Sequence, residues 1–278
     1  MLRFVSHQRR TAEIDKQRRT QPGWSNAGYQ KGEAVVHDPA SEEVRQFFDD
    51  QQADHRYESL KDMTRELDLE AARLLNSIVT GDTLSVGGIW DFFSWSDQLG
   101  SLTVLDLSPE MLKIYCPEDA IGVVGDLFRH QFPAESFDSI VFPLMLHHTP
   151  QGKWRSCEGR IEEAMDRVRP WLRKDGRVFI LEYCPNPAWS PVQRALLPLT
   201  KRFLAKFNQP LVVMYTRAFY QRVLDERFGS SEAHLVDPEG FNYWKWYPIF
   251  MSTRWLRMPL AIYPKLHVMI APTLPQGV

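Results

Sequence analysis

The chain has 278 residues, 44% of them hydrophobic, and a formal net charge of −2. That content suits one large domain with decorations, or one domain plus a small second one, and the near-neutral charge with no basic stripe argues against a nucleic-acid substrate. Three cysteines without a Cys-x-x-Cys argue against a disulfide framework or a zinc site and fit a reducing, cytoplasmic setting, while no apolar run approaches a membrane span or a signal core.

Residues 1–40 are polar and aperiodic, with Arg9, Arg10, Arg18 and Arg19, and read as a mobile arm. Ser41-Glu42-Glu43 predicts a helix start, with Ser41 as cap and acids in the first turn. Val44, Phe47 and Phe48 then share one face. A second helix is expected over 59–78, with Leu60, Met63, Leu67, Leu69, Ala72, Leu74 and Leu75 as its apolar positions, broken by Gly81-Asp82. Residues 41–80 therefore read as a helical cap.

Strands are expected at 83–86, 102–106, 122–124, 139–142 and 177–182. Between them fall helices at 109–115, capped by Ser108, and at 160–172, and a turn at Asp175-Gly176. Strands alternating with helices predict an α/β domain over 81–278, a Rossmann-like doubly wound sheet, mostly parallel. Asp106 and Asp126 end two of these segments 20 residues apart, and Asp106 follows Gly87-Gly88 by about 20. That is the rhythm of a nucleotide-binding sheet, in which a carboxylate at a strand end grips a ribose hydroxyl.

Prolines 185, 187, 191 and 198 punctuate an amphipathic stretch reaching Phe207, within an insertion at about 185–215. Thr216 predicts the cap of a helix over 217–227, closed by Phe228-Gly229. A second insertion, about 241–262, is dense in aromatics, including Phe241, Tyr243, Trp244, Trp246, Tyr247, Phe250 and Trp255. A final antiparallel strand at 266–271 closes the sheet.

The run Val104-Leu105-Asp106-Leu107-Ser108-Pro109-Glu110-Met111-Leu112 resembles the second-strand motif of class I S-adenosylmethionine (SAM) dependent methyltransferases. Gly125-Asp126, then Phe137-Asp138-Ser139-Ile140-Val141, then Leu146-His147-His148-Thr149-Pro150 resemble the motifs of the next two strands. Leu172-Arg173-Lys174-Asp175-Gly176-Arg177-Val178 resembles the turn before the fifth. The resemblance covers about a third of the chain and implies a methyltransferase of a small organic molecule, O- or N-directed, with SAM as cofactor.

It also implies roles. Asp106 would accept from the ribose hydroxyls, with Leu107 near the adenine. Asp126 would meet the adenine amino group, with the Leu127 backbone nearby. Gly87 and Gly88 would let the backbone pass close to the methionine end, and Pro143 and Leu144 would lie under the sulfonium. The chain departs from the family pattern at the glycine motif. Ser85 stands where an acid is usual, and Ile89 and Asp91 replace later glycines. A β-branched residue adds bulk and disfavours positive φ, and Asp91 places negative charge near the SAM carboxylate. Two readings stand: a re-routed loop that binds SAM, or a methyltransferase-like protein without methyl transfer.

Methyl transfer needs a base only when the acceptor must lose a proton. His148 and His147 are the candidates by position, with His55 and Tyr57 of the cap behind them. Glu182 and Tyr183 end the fifth strand and could also face the substrate, with a solvated strand end as the default. The aromatic segment reads either as a packed insertion or homodimer surface, or as the wall of a pocket for an apolar or aromatic molecule. Lys201, Arg202 and Lys206 beside Phe203, Leu204 and Phe207 make an amphipathic pattern that could touch a membrane or an acidic partner, with a solvated helix face as the default.

Overall fold

The computed structural model describes residues 29–30, 39–53, 56–87, 98–117, 119–149, 153–206, 210–244, 246–248, 257–259 and 264–272. Its strands are β1 (Tyr29–Gln30), β2 (Gly81–Val86), β3 (Leu99–Asp106), β4 (Ile121–Val124), β5 (Phe137–Pro143), β6 (Leu172–Cys184), β7 (Glu232–Leu235), β8 (Trp246–Pro248), β9 (Arg257–Pro259) and β10 (Lys265–Pro272). Its helices are α1 (Pro39–Ala53), α2 (Arg56–Ile78), α3 (Pro109–Tyr115), α4 (Trp154–Val168), α5 (Trp189–Lys206) and α6 (Arg217–Phe228). Short 3₁₀ turns lie at Leu146–His148 and Arg169–Trp171.

The main sheet runs β1-β4-β3-β2-β5-β6-β10-β7. All pairings from β1 to β6 are parallel, and β10 is antiparallel to both β6 and β7. The mostly parallel sheet with an antiparallel C-terminal strand is the expected fold class. β5 is apolar and buried over most of its length, as a central strand covered on both faces must be.

Helices cover both faces. Cys157, Ile161 and Met165 of α4 join Tyr220 and Leu224 of α6 in one core layer. Leu67, Ala71 and Leu75 of α2 join Leu112 of α3 in the other. Each fully buried Leu or Ile contributes about 1.5–3 kcal/mol. The chain steps from β2 to β3 to β4 on one side, then from β5 to β6 on the other. The strand order thus reverses between β2 and β5, and a crevice opens beyond their carboxyl ends.

Several boundaries differ from expectation. Helix α1 begins at Pro39, so Ser41 is a buried residue inside its first turn and not the cap; proline is well placed at a helix start because its missing N–H is not needed there. Helix α4 starts at Trp154 rather than 160, and the chain is already strand at Leu172. Asp175-Gly176 is not a turn between elements. It lies within β6, where residues 173–176 stand opposite the single residue Asp138. Arg173 ties this bulge down by pairing with Asp138 at 2.5 Å and with Asp82 at 2.8 Å. Ser108 and Thr216 do cap their helices, accepting from the N–H of Met111 and Phe219. Within the stretch expected as an arm, β1 extends the sheet alongside β4.

Candidate functional site

The crevice beyond β2, β3 and β4 is a cavity that brings together Gly87, Asp106, Leu107, Asp126, Leu127, Leu144 and His148. Pro143 and His147 stand just outside its lining. Gly88, Ile89 and Asp91 lie outside the described residues, as does His55, and of Tyr57 only the backbone is described.

Gly87 follows β2 at φ 82° and donates its N–H to the Leu105 carbonyl. A Cβ there would sit 2.4 Å from the Cβ of Met145. Glycine is demanded twice, by the left-handed backbone and by the close approach of the β5 loop. We expect Gly87→Ala to cost about 1–3 kcal/mol of stability, read as a lower melting temperature. Adding Met145→Gly, which removes that Cβ, should recover part of the loss; no recovery would mean that the left-handed backbone at Gly87, and not the clash with Met145, carries it.

Asp106 closes β3 and is only 9% exposed. Its Oδ1 accepts the Ser108 N–H at 2.7 Å. Burial pushes its pKa up to about 7, the bonds from the Ser108 and Leu107 N–H groups oppose this, and the nearby Asp49 charge adds to the rise. Asp126 follows β4 and is 1% exposed. Its Oδ1 accepts the Phe128 N–H at 2.9 Å, while Oδ2 is enclosed with no hydrogen-bond partner among the described residues. A buried acceptor left open is costly, about 1–3 kcal/mol, and its position in the cavity lining suits a donor on a ligand.

Leu144 follows β5 at φ 55°, left-handed for a branched residue. Such backbone stores roughly 1–3 kcal/mol and persists only where its surroundings hold it. Here the Leu144 N–H donates to the Leu181 carbonyl at 2.8 Å and the side chain is buried.

The two histidines diverge. His147 turns toward β6, where its Nδ1 lies 2.7 Å from Oε2 of Glu182. Glu182 is wholly buried, and its Oε1 accepts the N–H of Leu146 at 2.7 Å and of His147 at 3.3 Å. It is not the solvated strand end expected from sequence but the anchor of the turn that carries both histidines. His148 turns into the cavity, edge-on to Phe48 with ring centroids 5.0 Å apart. Its Nδ1 is enclosed without a hydrogen-bond partner among the described residues. Burial, and then the neighbouring His147, holds its pKa well below the ordinary histidine value.

Helix α1 supplies the roof, with Ser41, Val44, Arg45 and Phe48 in the lining. Asp49 accepts a short hydrogen bond from the Ser108 hydroxyl, beside Asp106. Arg45 bridges Glu42 and Asp49. On the far wall the Arg160 guanidinium lies 3.3 Å over the Phe128 ring, a cation–π contact. Sequence reasoning missed Met145, Arg160 and Asp49. Phe48 was legible as part of an apolar face, although not as a cavity wall.

Of the aromatic segment, Phe241 and Tyr243 stand edge to face with each other, ring centroids 4.8 Å apart, and pack against the α2 side of the core. Tyr243 donates to Asp237 and carries the Lys265 ammonium over its ring. Trp244 and Trp246 are exposed. None of these four lines the cavity, and Phe250 and Trp255 lie outside the described residues.

Solved structures share this architecture at low identity. A chain of the complex between the Haloferax volcanii Trm112 methyltransferase activator and a methyltransferase is 13% identical, covers 86% of this chain and 100% of that one, and gives a TM-score of 0.55. A SAM-dependent methyltransferase from Thermotoga maritima is 11% identical over 84% of this chain and 100% of its own, with a TM-score of 0.53. Burkholderia thailandensis 1,6-didemethyltoxoflavin-N1-methyltransferase, solved with that compound and S-adenosylhomocysteine, is 15% identical over 87% and 93%, with a TM-score of 0.50. No curated protein matches the chain. The fold is therefore the Rossmann-like fold of the class I SAM-dependent methyltransferases. Residues 84–180 match the profile of the methyltransferase-domain family, so the resemblance read from the motifs holds over the segment that carries them.

Proposed function

We propose that this protein binds SAM in the cavity under α1 and methylates a small organic molecule at oxygen or nitrogen. The observation that carries the reading is the pair of carboxylates in the cavity lining, Asp106 at the end of β3 and Asp126, with its open Oδ2, just past β4. A nucleoside offers donors to both: hydroxyls to Asp106 and an amino group to the open Oδ2 of Asp126. Leu107 and Leu127 offer apolar walls to the base, and Gly87 leaves room for backbone contact with the amino-acid end. Bound SAM supplies an activated methyl group on a sulfonium.

The chain's part is then orientation and exclusion of water. Leu144 and Pro143, past β5, shape the floor. Val44 and Phe48 from the roof and Met145 and Phe128 from the walls make much of the remaining lining apolar, with Ser41, Arg45, Thr149 and Arg160 among them, which supports an apolar or aromatic acceptor carrying a polar group. His148, neutral at physiological pH, is placed to take a proton from an acceptor hydroxyl or ammonium, and His147 holds the turn through Glu182. In this reading α1 with α2 forms the cap.

Calorimetric titration of the purified chain with SAM and with S-adenosylhomocysteine tests this. Micromolar binding of either is expected. Binding by neither, in a folded sample, supports the second reading, a methyltransferase-like protein without methyl transfer, which the Ile89 and Asp91 substitutions favour.

A further inference from the structure

We propose that α5 is a docking face for an anionic lipid surface. Five large apolar side chains on this helix are exposed by 39–61%: Trp189, Val192, Leu196, Leu199 and Phe203. Their spacing is three, four, three, four, so they form one continuous stripe. The inward face is a different set, Leu197 and Leu204, and Gln193 fastens the helix by donating to the Met214 carbonyl at 3.1 Å. Among the described residues the stripe lies outside the buried core.

Charge selects the occupant. Helix α5 carries Arg194, Lys201, Arg202 and Lys206 and no acid, and no aspartate or glutamate occurs anywhere between Glu182 and Asp225. This acid-free run lies in a chain whose net charge is −2. Arg202 and Lys206 each stand three residues beyond a stripe residue, Leu199 and Phe203, and so border the stripe. A second copy of α5 laid along the first would bring like charges together with nothing to neutralise them. An anionic lipid surface satisfies both features: apolar side chains enter the acyl boundary while flanking cations meet the headgroups. The helix begins just past the end of β6, at the carboxyl edge of the sheet where the candidate site opens. Attachment there would set that edge toward the membrane, where apolar acceptors concentrate.

Vesicle flotation of the full chain tests the proposal, using phosphatidylcholine alone and phosphatidylcholine with about 30% phosphatidylserine. Wild type is expected to float with the anionic vesicles only and to be released by high salt. Leu199→Glu with Phe203→Glu should weaken binding at least about tenfold, and Arg202→Glu with Lys206→Glu should abolish the preference for phosphatidylserine. All four positions are exposed, and circular dichroism checks the fold; Leu199→Ser serves if the double glutamate variant fails to fold. Four results would overturn the proposal: no binding to either vesicle, equal binding to both, binding indifferent to both variant pairs, or a concentration-dependent dimer in sedimentation that Leu199→Glu dissolves. The last would make a second copy the occupant.

Discussion

Asp106→Ala is expected to weaken S-adenosylhomocysteine binding by about 1.5–3 kcal/mol, the value of hydrogen bonds to a charged acceptor. The pH dependence makes the test specific. Asp106 titrates at about 7 because it is buried, and ribose hydroxyls are bound best by its ionised form. Wild-type affinity should therefore be steady above that pH and fall about tenfold per unit below it, whereas the alanine variant should be weak and flat. Unchanged affinity in the variant would sink the ribose role, and a flat wild-type profile would sink the link to its titration.

The same shift fixes an effect on stability. The folded-state pKa lies above the ordinary 3.8, so the native chain holds a proton that the unfolded chain has lost between those values. Stability contributed by the neutral carboxyl is present at low pH and is lost as pH rises toward about 7. Asp106→Asn, which keeps an acceptor for the Ser108 N–H but has no charge to bury, should melt above wild type at pH 8 and close to it at pH 4. A variant that binds worse and melts higher separates ligand recognition from scaffold stability.

Glu182→Ala should be the most damaging substitution to the fold. The carboxylate is fully buried and holds the Leu146 N–H and the His147 ring together. Removing it strands three donors, the Leu146 and His147 N–H groups and the His147 ring nitrogen, at about 1–3 kcal/mol each where they are cut off from water, so a loss of roughly 2–5 kcal/mol in urea unfolding is expected. Glu182→Gln retains an acceptor for Leu146 and an amide facing His147, and should restore most of that loss. A loss under about 1 kcal/mol for the alanine variant would mean that the turn stands without its anchor.

The two carboxylates of the site were legible because a parallel strand ends abruptly and its polar terminus interrupts an apolar run, as at Leu105-Asp106 and Gly125-Asp126. Caps were legible for Ser108 and Thr216, whose hydroxyls serve N–H groups three residues ahead. Glu182 was not, because its partners come from a turn 35 and 36 residues earlier, and a lone acid at a strand end otherwise reads as solvated. The Asp49–Ser108 bond spans 59 residues and leaves no local trace. Strand β7 was missed because Glu232–Leu235 is a mostly exposed edge strand of 4 residues, whose polar–apolar alternation is too brief to mark a strand. Asp175-Gly176 misled because turn-forming residues can also sit inside a strand as a bulge.

Among the described residues, helix α1 is fastened to the body by the Asp49–Ser108 bond, the edge contact of Phe48 with His148, and the buried side chains of Ser41 and Phe47. Elements with so few buried contacts detach at far lower free energy than the sheet beneath them. A molecule held in the cavity lies under this roof, so its residence time is tied to how often α1 lifts rather than to diffusion. The bond from Asp49 sits beside the carboxylate that a ribose would engage, so the clock for departure and the grip on the ligand share one corner of the molecule.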